Sequence, residues 1–448
     1  MSVQKYKRFF NLFLLLFCFG LLWKFSSKQS IPAPSSSADG KRTWINAYTL
    51  ENHMMIETGM WGENDDIYTC AWGNELGTSE FDMDMYVVKW DRSGRVVWDF
   101  IDYSENHTRA YGITGFDNNL YVYGSTKNNS LYLLQYHIIK LDTSGDTIWT
   151  KSWGDNETDQ WNAFIYEMVC DETGMYALGE FGPMISNTTS YELLKIDFDG
   201  NIIWNITWED KNYNQYSGLQ VDNSALYLAC EFYYAGISDS GINLVKWNKS
   251  GNFLWNRSLF QNTDTEGVLF NSMDMDETTL YLCGTRFSVP DDQIYGFICG
   301  IDTEAQILWN NSISTGLPKT YGFGISYNSE EIFLVGNAEE TNQFDEQIQA
   351  QYYFARLTKN GEFISVKTTE IVPMVWFVGE FYLHATEKNL YQSWYYYGGM
   401  VLEKIDISIS YFARIGIPII SVCVSGVLAW VIIKYIKKRK IKGKESVS

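Results

Sequence analysis

Cysteine and histidine are scarce in this chain, and their placement argues against a metal-centred or a cross-linked fold. Among 448 residues there are seven cysteines and four histidines. The histidines are scattered and no Cys-x-x-Cys occurs, so no metal site is expected. Cys18 and Cys423 fall in apolar terminal runs, which leaves five cysteines, an odd number that does not suit a disulfide framework. Cys283 with Cys299 is the one pairing to test.

Net positive charge and helical periodicity are also missing from the long central part of the chain, where acidic residues outnumber basic ones. The net charge is −20; residues 1–40 contribute +4 and residues 411–448 contribute +7, which leaves −31 for residues 41–410. This charge repels nucleic acid, so nucleic-acid binding is excluded. It favours cations; no cofactor is expected, and calcium binding is possible. A well-hydrated extracellular surface accounts for the same charge.

Catalytic constellations are not evident either. We find no paired nucleophile and base and no glycine loop that could cradle a phosphate. Carboxylates alternate at Asp82 and Asp84 and again at Asp274 and Asp276, so each pair would face one side of a strand. Nothing in the sequence marks either pair as catalytic, and no catalytic residue is assigned.

Two apolar runs mark the ends of the chain. Residues 1–25 contain basic residues followed by an apolar run from Phe9 to Trp23, which predicts a signal peptide or an uncleaved signal anchor. A Ser/Pro-rich linker covers residues 26–40. The 19 apolar residues from Ile415 to Ile433 predict a transmembrane helix over 411–434, and residues 435–448 form a basic cytoplasmic tail. We therefore expect a single-pass protein of the cell membrane with residues 41–408 outside.

What the central part does contain is a repeated phrase, Lys-x-Asp-x-x-Gly-x-x-x-Trp. Four clear copies end at Trp98, Trp149, Trp204 and Trp255, and a weaker copy ends at Trp309. Successive tryptophans are 51, 55, 51 and 54 residues apart, a period typical of propellers and solenoids. The residues assigned to this structural repeat are Asp91, Gly94, Trp98, Asp142, Gly145, Trp149, Asp197, Gly200, Trp204, Gly251, Trp255 and Trp309. The aspartates are expected to bond turn amides.

A second landmark, an aromatic residue followed three positions later by a small one, recurs with the same period. It occurs at Tyr121, Tyr176, Tyr227 and Tyr281, and both landmarks have seven registers. Each unit holds four short runs rich in β-branched and aromatic residues, separated by Gly, Asn, Asp and Ser. This pattern predicts an all-β fold, a seven-bladed β-propeller of four-stranded blades, followed by the C-terminal transmembrane helix.

With these motifs, residues 41–406 resemble the seven-bladed propeller repeat of bacterial and archaeal surface proteins, and the tryptophan-docking repeat of quinoprotein-type propellers. The spacing differs from the sialidase Asp-box, so no glycosidase residues are carried over. The resemblance implies blades ordered as inner, tyrosine, Lys-x-Asp and outer tryptophan strand. The seventh blade then lacks its outer strand, and we expect Lys41 to Tyr48 to supply it and close the ring.

The longer loops are expected on one face of the propeller, which becomes the default site. The aromatic residues assigned to ligand binding there are Trp72, Phe181, Phe232, Tyr233, Trp394 and Tyr396. Such aromatics stack on sugar rings or cage a cation, although strand-end aromatics also complete the packing between blades. The sequons, plausible N-glycosylation sites, are Asn106, Asn128, Asn156, Asn187, Asn205, Asn248, Asn256 and Asn310.

These features favour a non-enzymatic cell-surface module, anchored in the membrane, that binds an extracellular protein or a glycan or serves in adhesion. An exported enzyme, either quinone-cofactor dependent or acting on polysaccharide, is the alternative. A purely structural component of the cell envelope is the third option. An enzyme should place polar groups around the central funnel, whereas a binding module should present a weakly charged aromatic patch.

Overall fold

The part of the chain described by this computed structural model is all-β. It comprises residues 44–406 except 51–52, 64–65, 76–82, 104–106, 129–132, 155–160, 184–188, 211–214, 234–239, 264, 289–292, 342–346, 369–371, 374–381, 387 and 397–398. The strands of the first half are β1 (Trp44–Tyr48), β2 (His53–Glu63), β3 (Asp66–Glu75), β4 (Asp84–Trp90), β5 (Val96–Ile101), β6 (Thr108–Phe116), β7 (Asn119–Asn128), β8 (Leu133–Asp142), β9 (Thr147–Trp153), β10 (Trp161–Asp171), β11 (Gly174–Pro183), β12 (Thr189–Ile196) and β13 (Ile202–Asp210). The strands of the second half are β14 (Gln215–Val221), β15 (Ala225–Tyr233), β16 (Ser240–Asn248), β17 (Phe253–Gln261), β18 (Glu266–Met275), β19 (Thr279–Ser288), β20 (Gln293–Asp302), β21 (Ile307–Ile313), β22 (Lys319–Tyr327), β23 (Glu331–Thr341), β24 (Gln347–Thr358), β25 (Phe363–Thr368), β26 (Val372–Pro373), β27 (Tyr382–Ala385), β28 (Asn389–Tyr396) and β29 (Gly399–Asp406).

Consecutive strands pair antiparallel in sets of four. Strands β2–β5, β6–β9, β10–β13 and β14–β17 form separate sheets, and β27, β28 and β29 form another with β1. Two further sets, β18–β21 and β22–β25, belong to one sheet because a parallel bridge joins Ile294 to Lys319; β26 also pairs with β24. We call each set a unit and number the units in chain order from β2–β5.

The units pack side by side around a common axis. The first strand of each unit contacts the first strand of the next, from β2 through β6, β10, β14, β18 and β22 to β27, and β27 contacts β2. Middle strands are therefore buried on both faces: Tyr68, Tyr121, Tyr176 and Tyr227 are at most 1% exposed. The fourth strands lie at the periphery, and alternate side chains on them are exposed. The architecture is that of a β-propeller.

The Asp-x-x-Gly segment of each repeat forms the turn between the third and fourth strands. Asp91 Oδ1 accepts hydrogen bonds from the amides of Ser93 and Arg95 at 2.8 and 3.0 Å. Burial raises the pKa of Asp91, but the hydrogen bonds from Ser93 and Arg95 outweigh it and lower that pKa to about 2. Gly94 has a φ of 75°, a backbone angle that residues other than glycine adopt only with strain. The predicted turn role of these aspartates is confirmed.

The tryptophans dock onto the turn of the following unit. Trp98 Nε1 donates to the carbonyl of Thr143 at 3.1 Å, and Trp149, Trp204 and Trp309 make the equivalent bond one unit further on each time. A Cβ at Gly145 would lie 3.0 Å from the Trp98 ring. Gly145, Gly200 and Gly251 therefore each supply both the positive φ of their turn and the space for the preceding unit's tryptophan.

The Trp98→Phe variant should measure how much the hydrogen bond between Trp98 and the Thr143 carbonyl contributes to the free energy of unfolding. The variant removes the indole N–H while Lys89 Nζ still donates to the Thr143 carbonyl, at 3.4 Å. We expect the free energy of unfolding to fall by about 1 kcal/mol in guanidinium denaturation. Trp153→Phe is the matched control, because the Trp153 N–H has no partner among the described residues. An equal decrease in the free energy of unfolding in the two variants would contradict the docking role of Trp98.

The N-terminal strand completes the last unit, as predicted from the missing outer strand. Strand β1 pairs antiparallel with β29, and Trp44 lies opposite Lys404. Trp98 lies opposite Lys89 in the same register, so Trp44 occupies the place of a docking tryptophan. Lys404 Nζ also donates to the carbonyl of Arg92 in the first unit, at 3.4 Å. The pairing of Trp44–Tyr48 is confirmed; residues 41–43 lie outside the described part.

The sixth unit departs from the repeat. Arg356 stands where the fifth unit has Gly300 and the remaining units have lysine, and Ser365, opposite it, stands where the other units have tryptophan. Arg356 is 2% exposed and forms two hydrogen bonds of 2.7 Å with the Glu331 carboxylate. A buried ion pair thus takes the place of the lysine and the docked tryptophan.

Cys283 and Cys299 are free thiols. Cys283 pairs with Ile298 and Cys299 pairs with Leu282 in the adjacent strands β19 and β20. Neighbouring positions along a strand point to opposite faces, so the two sulfur atoms lie on different sides of the sheet and cannot join without rearrangement. They belong to two separate core clusters.

The predicted signal segment 1–25, the linker 26–40, the transmembrane helix 411–434 and the tail 435–448 all lie outside the described residues. Within the described ranges, no helix has the length and apolarity needed to cross a bilayer.

Candidate functional site

The first strand of each of units 1–6 carries a β-bulge at an equivalent position. The unpaired residues are Thr58, Tyr111, Tyr166, Ser217, Asn271 and Phe323. A bulge leaves its extra residue out of the ladder and redirects the side chain, and bulges are frequent beside functional sites. Because these strands contact one another in sequence around the axis, the bulges bring six positions with different residue types around the centre of the molecule.

Three aromatic rings meet at two neighbouring bulges, and we call Tyr111, Phe164 and Tyr166 the inner aromatic cluster. The ring centres lie 6.1 Å apart for Tyr111 and Phe164, 5.9 Å for Tyr111 and Tyr166, and 5.8 Å for Phe164 and Tyr166. Tyr166 is nevertheless 37% exposed. The cluster therefore combines mutual ring contact with surface that a ligand can reach.

A carboxyl and a phenol beside the cluster form a polar pair. Glu180 on β11 lies opposite Phe164 and hydrogen-bonds the hydroxyl of Tyr166. Burial raises the pKa of Glu180 above its ordinary value, although the bond from Tyr166 works in the other direction. Burial also raises the pKa of Tyr166, so its hydroxyl stays protonated and the ring edge carries no charge. The pair therefore supplies a carboxyl group and an uncharged phenol, both of which can form hydrogen bonds.

Trp72, one of the predicted ligand-binding residues, extends the aromatic surface to the first unit. The guanidinium of Arg109 lies 5.3 Å from the centre of the Trp72 ring. Arg109 precedes Tyr111 by two positions on β6, so this contact links Trp72 of the first unit to the strand that carries Tyr111. Arg109 supplies a cationic group on this strand.

The other predicted ligand-binding residues fall elsewhere. Phe181 is half-buried and packs against the core of the second and third units. Phe232 is 7% exposed, and its ring covers Gly241, so it contributes mainly to packing. The backbone strands of Tyr233, Trp394 and Tyr396 are described, but their side chains lie outside the described part. Ligand binding by Trp72 stays a prediction, and the inner aromatic cluster was not among the predicted residues.

The acidic pair Asp274 and Asp276 has two different structural environments. Asp276 lies in the turn after β18, where its Oδ2 accepts from Tyr281 Oη and Lys359 Nζ, each at 2.8 Å. Burial opposes ionisation of Asp276, but Lys359 and the turn hydrogen bonds lower its pKa to about 2. For Asp274, burial dominates and raises the pKa to about 7. Asp276 is engaged in an ion pair between two units, so the two carboxylates do not form an acid and base pair.

One arrangement of Ser, His and Asp is present that the sequence did not reveal. Ser152 Oγ lies 2.7 Å from His137 Nδ1, and Asp102 Oδ2 lies 3.9 Å from His137 Nε2. The second distance is too long for a hydrogen bond, so the carboxylate does not orient the imidazole. Burial lowers the pKa of His137 to about 4. Within the described ranges, no group of three or more His, Cys, Asp and Glu side chains could hold a metal ion.

Comparisons with known proteins add no functional information beyond these residues. No protein-family model matches the chain, and no curated protein matches it significantly in sequence. In fold it is similar to an acylaminoacyl peptidase from Pyrococcus horikoshii, with 8% identity over 81% of this chain and 54% of that one and a TM-score of 0.44. It is also similar to the β-propeller domain of the Trilobed protease from Pyrococcus furiosus, with 7% identity over 82% and 98% of the two chains and a TM-score of 0.43. A member of the DUF4221 family from Bacteroides vulgatus has 10% identity over 81% and 99%, with a TM-score of 0.37.

The chain thus spans about half the length of the Pyrococcus horikoshii peptidase. At such identities and TM-scores, these similarities concern the fold and supply no argument about activity. The chain is of the β-propeller type, and its function has to be argued from its own side chains.

Proposed function

We propose that this chain is a membrane-anchored, seven-bladed cell-surface propeller that binds a glycan or protein partner, without catalysis, through the inner aromatic cluster. The observation that carries the proposal is the exposed Tyr166 ring beside Tyr111 and Phe164, with the Glu180 carboxyl hydrogen-bonded to the Tyr166 hydroxyl. An aromatic surface with a few polar groups is typical of recognition sites.

Several contacts between strands support the proposed seven-bladed ring. Consecutive strands pair in sets of four, the first strands contact one another in sequence, and β27 returns to contact β2. Tyr48 on β1 donates from its hydroxyl to Asp99 Oδ2 in the first unit at 2.7 Å. These contacts join the last unit to the first, as ring closure requires.

The membrane anchor is supported by the sequence. The 19 apolar residues from Ile415 to Ile433 begin nine residues after the end of β29, and seven basic residues follow them. In this proposal the propeller lies outside the cell and the tail lies in the cytoplasm, where flanking basic residues are preferred. The charge of −31 over residues 41–410 suits a soluble extracellular domain.

The chemistry around the axis favours binding over catalysis. The polar groups beside the cluster, Glu180 and Arg109, each have an aromatic partner. The Ser152 and His137 pair lies on β9 and β8, away from the first strands, and Asp102 is too far to complete a triad. A stack of sugar rings on Tyr166 and Tyr111, with hydrogen bonds to Glu180, is the mode of recognition that these groups support best.

Glycan-array binding by a soluble fragment of residues 39–408, with and without calcium, tests the proposal. Tyr166→Ala and Tyr111→Ala should each weaken binding of a positive glycan about tenfold to thirtyfold, since an aromatic anchor contributes about 1.5–2 kcal/mol. Phe363→Ala is the matched control, because Phe363 is 42% exposed but lies on the peripheral strand β25.

Three results would count against the proposal. Binding that Tyr166→Ala and Phe363→Ala weaken equally would remove the cluster from the site. Turnover of an array glycan would favour the polysaccharide-acting enzyme. Binding to neither glycan nor extracellular protein, with no tightly bound cofactor, would favour the purely structural envelope component.

A further inference from the structure

The peripheral strands of units 3, 4 and 5 display the same three-residue pattern on their solvent side. An apolar residue, an asparagine and a hydroxyl residue follow one another at alternate positions, so all three point the same way. The three sets are Ile203, Asn205 and Thr207 on β13, Leu254, Asn256 and Ser258 on β17, and Leu308, Asn310 and Ser312 on β21, and every one of these side chains is exposed. In each strand, the asparagine directly follows the docking tryptophan.

We propose that Asn205, Asn256 and Asn310 carry N-linked oligosaccharides, which form a glycan-covered flank over three adjacent units. Each asparagine begins a sequon, and both sequon side chains are accessible in the folded protein. Sequons occur by chance, but three of them at one structural position on three successive peripheral strands need a common cause. The proposal rests on the export of residues 41–408, which is part of the proposed function, but not on ligand binding.

The hydrogen bonds at these positions are compatible with the modification. Asn205 Nδ2 donates to Glu192 Oε1 at 2.5 Å, and one of its two N–H bonds is enough for that contact. Asn310 accepts at Oδ1 from Arg286 at 3.1 Å, which does not involve the nitrogen. Arg286 also donates to Ser312 Oγ at 2.9 Å, so it holds both ends of this sequon on the solvent side.

The covalent step joins the asparagine nitrogen to an activated sugar. Nδ2 forms a bond to the anomeric carbon of an oligosaccharide carried on a polyprenyl diphosphate, the donor used by a transferase of the exporting cell. The anomeric C–O bond to the diphosphate breaks, and the proton lost from Nδ2 leaves with the released diphosphate. No electron transfer is involved.

The apolar neighbours give the flank a physical role. Ile203, Leu254 and Leu308 are 53%, 47% and 55% exposed, two positions before the three asparagines and on the same side. An oligosaccharide on the asparagine would cover this apolar surface and limit edge-to-edge association of peripheral strands. The peripheral strands β5 and β9 expose Val97 and Ile148 to a similar degree but have Asp99 and Thr150 in place of the asparagine.

Asn248 is the internal comparison, since its sequon lies in a turn. Its Oδ1 accepts from the amides of Ser250 and Asn252 at 3.0 and 2.9 Å, and the side chain is half-buried. Among the remaining sequons, Asn106, Asn156 and Asn187 lie outside the described residues, as does the side chain of Asn128.

Peptide mass spectrometry of the full chain, expressed in a host that N-glycosylates exported proteins, tests the proposal. We expect oligosaccharide on the peptides of Asn205, Asn256 and Asn310 and none on that of Asn248. Thr207→Val, Ser258→Ala and Ser312→Ala keep each asparagine but remove the hydroxyl that the sequon needs. Each should therefore remove one oligosaccharide mass, and the triple variant three.

Failure of this proposal can be distinguished from failure of the proposed cell-surface location. Oligosaccharide on Asn106 or Asn156 with none on the three peripheral asparagines would overturn this proposal while leaving export intact. Absence of oligosaccharide from all eight sequons would overturn it too. In that case, protease accessibility of residues 41–408 on intact cells decides whether the proposed cell-surface location fails with it.

Discussion

A soluble fragment that begins at residue 49 should be less stable than the fragment 39–408 by about 5 kcal/mol or more. The shorter fragment lacks β1, which pairs with β29 over five residues from Trp44 to Tyr48. Each lost backbone hydrogen bond costs about 1 kcal/mol. Burial of Tyr48, which is 8% exposed, contributes about 1.5–3 kcal/mol. The hydrogen bond from Tyr48 to Asp99 is lost as well. Guanidinium denaturation of the two fragments measures the difference.

The linker supplies the control for this comparison. A fragment of residues 41–408, which lacks the linker, should have the same unfolding midpoint as a fragment of residues 26–408, which contains it, because the predicted blade begins at residue 41. A peptide of residues 41–48, added to the fragment that begins at residue 49, should restore part of the lost stability by pairing with β29. Equal stability of the two fragments would show that β1 does not hold the ends of the molecule together.

Glu331→Gln should lower the free energy of unfolding by about 3–5 kcal/mol, the usual cost of breaking a buried ion pair from one side. Arg356 would keep its charge at 2% exposure while losing its carboxylate partner, which now lies 2.6 Å away at the closest approach. Ser365, at the position of the docking tryptophan, is too small to fill the space that this pair occupies. Thermal and guanidinium denaturation of the variant test the expectation.

Glu304→Gln is the matched control, because Glu304 pairs with Lys246 at 2.8 Å but is 57% exposed. An exposed pair contributes at most about 1 kcal/mol. The double variant Glu331→Leu with Arg356→Met should recover most of the loss, since apolar residues of similar volume replace both charges. A loss at Glu331 no larger than at Glu304 would mean that the buried pair is not a major source of stability in the sixth unit.

The scaffold could be predicted from the sequence because its determinants are local and periodic. The phrase that contains Asp91, Gly94 and Trp98 fixes a turn, and its repetition fixes the order of strands in each unit. The absence of a tryptophan strand after Asp406 was enough to predict that the segment around Trp44 would complete the last unit. Predicting these features requires no knowledge of how the units contact one another.

The candidate site was not predictable in the same way, because the bulge residues share a position and not a type. Thr58, Tyr111 and Asn271 have no chemistry in common, and the inner aromatic cluster forms only where two units meet. One signal was available: Gly59, Gly112, Gly218 and Gly324 each follow the bulge residue and precede an apolar one. Glycine inside a strand pattern indicates a bulge, so these four glycines indicate where the bulges lie in the first strands.

Closure by β1 also has a consequence for the order of events during biosynthesis. Trp44 is synthesised 360 positions before its partner Lys404. The entropy cost of so long a loop is modest, since each doubling of length adds about 0.6 kcal/mol, but pairing over such a separation is slow. We expect units 1–6 to assemble first, while the final sheet waits with an open edge. The maturing protein is then most vulnerable to misassembly just after synthesis ends, when β1 has yet to find β29.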